Sequence, residues 1–166
     1  MRTGIIRLAA ASALLALPLA SATAHDFKVG NLELKHPWSA KAPTVAPVLG
    51  GYLVIVNTGT EADRLVGGTT PAAERLELHE SSLADGVVRM RPAKQGIEIP
   101  AGGAVSLQPG GAHIMLVGPK ERPPEGGKFK ATLQFEKAGP VEVEFVVQAK
   151  APQPAAPDDH GGHAKP

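Results

Sequence analysis

The sequence predicts an all-β domain, a Greek-key sandwich or barrel built mainly of antiparallel strands. Three observations carry this. Short runs rich in Val, Ile and Leu recur from Phe27 to Gln148. Gly, Pro, Asn and Asp interrupt them at regular intervals. No stretch has the three-and-four spacing of apolar residues that an amphipathic helix needs.

Taken in order, Leu32 to Trp38 is the first candidate strand. Tyr52 to Asn57 follows, closed by Thr58-Gly59-Thr60. Arg64 to Gly67 and Arg75 to Glu80 come next. Asp85-Gly86 then predicts a hairpin into Val87 to Arg91, because these residues tolerate the positive φ of tight turns. Ile97 to Ile99 and Ala104 to Leu107 flank Pro100-Ala101-Gly102-Gly103. Pro109-Gly110-Gly111 reverses the chain before His113 to Val117. Phe129 to Glu136 and Val141 to Gln148 are parted by Ala138-Gly139-Pro140. In Val141-Glu142-Val143-Glu144-Phe145 apolar and acidic residues alternate, as a strand buried on one face requires.

Both ends differ from this pattern. Arg2 and Arg7 precede and enter an apolar run through Ala20, and Ser21-Ala22-Thr23-Ala24 follows. Residues 1–24 therefore read as a cleavable secretory signal, too short for a membrane span, with cleavage after Ala22 or Ala24. Residues 25–150 form the β domain, and residues 151–166 a polar, Pro-bearing tail with no apolar face to bury. The expected location is the periplasm.

Charge and cysteine content narrow the function. Removing Arg2 and Arg7 leaves 15 Lys+Arg against 16 Asp+Glu. That near-neutral balance gives no footprint for nucleic acid or anionic lipid, and no second long apolar run spans a membrane. The chain has no cysteine. Thiolate zinc sites, blue-copper centres and cysteine nucleophiles are thereby excluded. No nucleophile elbow surrounds Ser81 or Ser82, and no phosphate loop surrounds the glycine pairs, so the protein reads as a non-enzyme.

Three methionines occur, and Met1 leaves with the signal. Met115 stands two residues after His113, so both project from one face of their strand. Leu76 and Leu78 mark the core face of the preceding region, which turns His79 away from it. A hairpin at Asp85-Gly86 brings Met90 into the neighbourhood of His79. Whether the two pairs meet depends on sheet order, which periodicity leaves open. Two imidazoles and two thioethers suit Cu(I): thioether is soft and neutral, and zinc, calcium and magnesium prefer other donors.

The spacing resembles periplasmic copper chaperones of the PCu(A)C type, the DUF461 family. Their signature is a His, ten residues, a Met, a longer gap and His-x-Met. Here ten residues separate His79 from Met90, and 22 separate Met90 from His113-Ile114-Met115. Leu78-His79-Glu80, Met90-Arg91-Pro92, Leu107-Gln108-Pro109-Gly110-Gly111, His36-Pro37-Trp38 and Gly51-Tyr52 are similar too. The resemblance implies a cupredoxin-like fold and one Cu(I) on His79, Met90, His113 and Met115. It further implies delivery of copper towards the CuA centre of cytochrome c oxidase, through a CuA-domain subunit or another periplasmic copper protein. Many members carry extra Met just after the first His, where this chain has Ser81, Ser82 and Leu83.

Other readings are kept beside this one. A periplasmic copper buffer or resistance protein needs the same ligands without an acceptor. A copper monooxygenase needs His25 at the mature N-terminus, and an adhesion-type sandwich needs no metal. His25, His160 and His163 are secondary candidates for Cu(II) at the N-terminus and tail. His36 reads as structural, and Glu77, Glu80, Arg89 and Arg91 as solvated strand positions.

Overall fold

The computed structural model describes residues 26–84 and 87–149. The expected signal segment (1–24), the expected turn at Asp85-Gly86 and the expected tail (151–166) lie outside the described residues. Eleven strands are present: β1 (Phe27–Val29), β2 (Leu32–Ala40), β3 (Val48–Asn57), β4 (Asp63–Thr69), β5 (Ala73–Ala84), β6 (Val87–Pro92), β7 (Ile97–Ile99), β8 (Ala104–Leu107), β9 (His113–Pro119), β10 (Lys128–Phe135) and β11 (Gly139–Gln148). There is no helix among the described residues.

The strands join in the order β6-β5-β9-β3-β2-β11-β10-β4-β7, with β1 on β2 and β8 on β3. The sheet curls so that its inward faces share one core, centred on Leu34, Leu53, Ile55, Ile114, Leu116, Leu133 and Phe145. One pairing departs from the antiparallel expectation. β11 runs parallel to β2, with Val146 opposite Trp38. These strands come from opposite ends of the chain, so no tight turn dictates their direction.

Two strands differ from their expected extents for identifiable reasons. β1 is only three residues long, too short to show alternation. β3 starts at Val48, four residues before the expected Tyr52, and runs straight through Gly50-Gly51. Both glycines are sites of close approach. A Cβ on Gly50 would meet the Tyr52 ring, with Cζ at 2.6 Å, and one on Gly51 would lie 3.3 Å from both Ile114 and Phe145. In β2, the pairing with β3 slips between Lys35 and Trp38, and exposed His36 takes φ 49° there. His36 thus sits at an irregularity of the ladder just before Trp38.

The start of β4 is tied to the β10–β11 turn by one side chain. Asp63 is 8% exposed. Its carboxylate accepts from the backbone N–H groups of Arg64 (2.7 Å), Lys137 (2.9 Å) and Ala138 (3.0 Å). Burial alone would raise its pKa, but these three donors, with the Lys137 charge, outweigh it and hold the carboxyl below its usual value.

Candidate metal centre

β5 and β9 pair antiparallel with His79 directly opposite His113, Leu78 opposite Ile114 and Glu77 opposite Met115. Leu78, Ile114 and Leu116 enter the core. His79, His113, Met115 and Glu77 therefore share the other face of the sheet. β6 pairs with β5 with Met90 opposite Ser81 and Pro92 opposite His79. Met90 thus joins the same face, one pleat along from His79. Such diagonal positions are about 7–8 Å apart at Cα, within reach of a thioether chain. All four sequence candidates come to one patch on β6, β5 and β9.

Although they leave the core face, the imidazoles are not in open solvent. His79 is 9% exposed and His113 7%, with ring centroids 5.9 Å apart. Met90, on the terminal strand of the sheet path, is 60% exposed. Met115, opposite Glu77 on β9, is half-buried. The two histidines are sheltered, and the methionines flank them from opposite ends, Met90 the more exposed.

Hydrogen bonds fix which nitrogen each ring presents. His113 Nδ1 lies 2.9 Å from the Gly111 carbonyl. A carbonyl only accepts, so Nδ1 carries the proton and Nε2 keeps the lone pair. His79 does the reverse. Its Nε2 lies 3.0 Å from a Glu77 carboxylate oxygen, while Nδ1 is buried with no hydrogen-bond partner. Bonds from His79 and then Arg75 hold the Glu77 carboxyl below its usual pKa, so it stays an acceptor. A buried imidazole lone pair with nothing to bind is the kind of donor a metal ion fits. Ser81 Oγ, on the same face, is likewise buried without a partner.

Several contributors are invisible to motif reading. Glu77 reads as a solvated strand residue in the sequence but orients a candidate ligand. Gly111, expected only as a turn glycine, offers its carbonyl both to His113 and to the Ser81 N–H at 3.2 Å. Tyr52 and Trp38 stack at 4.5 Å, tilted by 36°. Gly50 and Gly51 pair with Met115 and Ile114. Tyr52 shares the face of Gly50, which pairs with Met115, so the aromatic pair lies on the same face of the sheet as the patch. Tyr52 is half-buried there, and its burial raises its pKa.

Among the described residues no group of three or more His, Cys, Asp or Glu is arranged to hold a metal. The four sequence candidates on this face are two imidazoles and two thioethers, with the Glu77 carboxylate hydrogen-bonded to His79. A cavity of about 470 Å³ lies against Arg64, Lys94, Gln95 and Glu98. It is lined by neither histidine nor methionine. His25, His160 and His163 lie outside the described residues.

Comparison with known proteins points the same way. The family model described as "Putative lipoprotein LpqE-like" matches residues 32–147. A Leifsonia xyli subsp. xyli protein named "Putative lipoprotein Lxx21020" is 43% identical over 91 residues, which is 54% of this chain and 55% of that protein. The match thus spans little more than half of that relative's length. Among solved structures, the copper-bound PCuAC domain from PmoF2 is similar with TM-score 0.66 and 28% identity, over 76% of this chain and 99% of that one. CuI-DR1885 from Deinococcus radiodurans is similar with TM-score 0.59 and 25% identity, over 76% and 82%. The fold is the all-β, cupredoxin-like fold of these domains.

Proposed function

Because the chain belongs to the LpqE-like family, the DUF461 family of PCu(A)C-type domains, we propose that it is an exported copper chaperone. It carries one Cu(I) on His79, Met90, His113 and Met115 and passes it to a periplasmic acceptor such as the CuA centre of cytochrome c oxidase. The observation that carries this reading is the buried, partnerless Nδ1 of His79, directly across the sheet from His113, with both mature methionines on the same face. The copper named for the PmoF2 and DR1885 domains supports the metal. The lipoprotein name of the Leifsonia relative supports export.

The division between nitrogen and sulfur gives a route for transfer. The imidazoles are held by Glu77 and Gly111 and stay in place. Met90 is exposed at the end of the sheet path, so it is the ligand an acceptor reaches first. A thioether is neutral and leaves without taking up a proton, so copper passes by stepwise exchange of ligands. Neither the bond order nor the oxidation state of any other group changes, so no catalytic residue is needed.

The test is an anaerobic competition with a chromogenic Cu(I) chelator. The parent should bind one equivalent. Met115→Ala and His113→Ala should each weaken it by about tenfold or more, while the β signature in circular dichroism persists. Equal affinity in parent and variants would remove these residues from the site.

A further inference from the structure

In β3, Val48, Gly50, Tyr52 and Val54 alternate with Leu49, Gly51, Leu53 and Ile55, and only the second set is buried. The first set lies on the histidine face of the sheet. Val48 pairs with Val117 and Gly50 with Met115. Residues directly opposite in an antiparallel ladder have Cβ atoms about 5 Å apart. The β3 position next to Met115 is therefore a residue with no side chain. Its φ is not positive, so a turn conformation does not explain the glycine.

The Tyr52 ring takes that place. A Cβ on Gly50 would lie 2.6 Å from Tyr52 Cζ and 3.1 Å from Cε2, and closer still to the hydroxyl. The ring thus folds back along β3 over Gly50 and stands beside Met115. Trp38, opposite Tyr52 on β2, backs it with ring centroids 4.5 Å apart. Trp38 is buried, so it closes the β2 side and holds the Tyr52 ring towards β9.

Met115 is bounded elsewhere by Glu77 on β5 and by His113 and Val117 on its own strand. Methionine has a long, unbranched side chain and loses more rotamer freedom on ordering than most apolar residues. Its sulfur also makes favourable contacts with aromatic rings. A ring fixed here restricts the thioether before any ion arrives, and that pre-organisation lowers the cost of binding. We propose that Tyr52 is a positioning residue for Met115: it fills the space left by Gly50 and holds the thioether in place beside His113. This role rests on the copper site proposed above. It belongs to the ring and not to the hydroxyl. Met90, 60% exposed, is left free to move.

The experiment uses the full chain labelled with carbon-13 at the methionine methyl groups. Without metal, the Met115 methyl should show nuclear Overhauser contacts to the Tyr52 ring and an upfield ring-current shift. In anaerobic chelator competition, Tyr52→Phe should keep the parent's Cu(I) affinity, and Tyr52→Leu should weaken it about fivefold. Gly50→Ala, whose methyl displaces the ring, should weaken it by a similar factor and decides alone if Tyr52→Leu fails to fold. In a Met115→Ala background, Tyr52→Leu should cost nothing further, which separates positioning from general support of the fold. No methyl-to-ring contact, parental affinity in Tyr52→Leu or Gly50→Ala, an equal loss in Tyr52→Phe, or an additive loss in the Met115→Ala background would each overturn the proposal. A parent that binds no Cu(I) would overturn the copper reading and this role together, a result distinct from binding that ignores Tyr52.

Discussion

His79 donates through Nε2 to Glu77 and leaves Nδ1 buried and unused, whereas His113 donates through Nδ1 to Gly111 and leaves Nε2 free. In the proposed site the two rings, although direct cross-strand neighbours, would meet the ion through different nitrogens. That asymmetry is set by what each ring leans on, a carboxylate for one and a backbone carbonyl for the other. In the proposed site Glu77 acts through His79: it fixes the tautomer and would raise the basicity of the ligating nitrogen. Glu77→Ala should weaken Cu(I) by about tenfold or more, and Glu77→Gln, which keeps an acceptor oxygen, by less. Ring nitrogen shifts of the copper-loaded parent should report His79 bound through Nδ1 and His113 through Nε2. His79 bound through Nε2 in the parent would contradict this arrangement. A period of two in the sequence already reveals that His113 and Met115 share a face. The role of Glu77 is not legible, because an acid two residues before a histidine on a strand looks like any solvated residue until the ring's rotamer is known.

At the level of elements, strand positions are largely legible and pairings are not. Valine- and leucine-rich runs bounded by glycine and proline locate most strands, since a half-buried strand needs those side chains and a turn needs those breakers. The start of β3 is not legible, because Gly50-Gly51 lies inside the strand, where glycine serves close packing against Tyr52, Ile114 and Phe145. The meeting of His79 with His113 is also hidden: it depends on β5 pairing with β9 across three intervening strands, and only the assembled sheet fixes that register. Long-range clasps of the same kind hold the layers together. Asp63 joins β4 to the β10–β11 turn, and its folded pKa is depressed below the unfolded value. Its stabilisation is then fully present above the ordinary carboxylate range and is lost as pH falls through the folded value. Asp63→Asn should cost about 2 kcal/mol at neutral pH, from charge-assisted bonds to backbone donors. Urea titrations at falling pH should see the gap to the parent shrink as the parent's carboxylate is protonated. A gap that stays constant into strong acid would mean the loss is steric instead.

For the whole molecule, the consequence of this layout is that the fold and the candidate site draw on different faces of one sheet. The core is assembled from Leu34, Ile55, Ile114, Leu133, Phe145 and their neighbours, and none of the four candidate ligands belongs to it. With no cysteine, no disulfide constrains the chain, so that apolar core carries the stability. The metal-free protein should therefore be folded, and copper should add stability only by mass action. At free Cu(I) about one hundred times the dissociation constant, linkage adds about 2.7 kcal/mol, which raises Tm by roughly 10 °C for a domain of this size. Met90→Ala provides the critical comparison, because Met90 is the exposed member of the set and packs into nothing that holds the fold. Its metal-free Tm should match the parent's to within about 0.5 kcal/mol of stability, as for an ordinary surface substitution. At the same copper activity its gain should shrink in proportion to its lost affinity. Differential scanning calorimetry under anaerobic conditions, with and without Cu(I), measures both quantities on one sample. A fall in the metal-free Tm equal to the lost copper gain would mean that Met90 supports the fold, and the separation of scaffold from site would fail. A preserved metal-free Tm with an undiminished copper gain would keep the separation but take Met90 out of the ligand set, leaving the ion to His79, His113 and Met115.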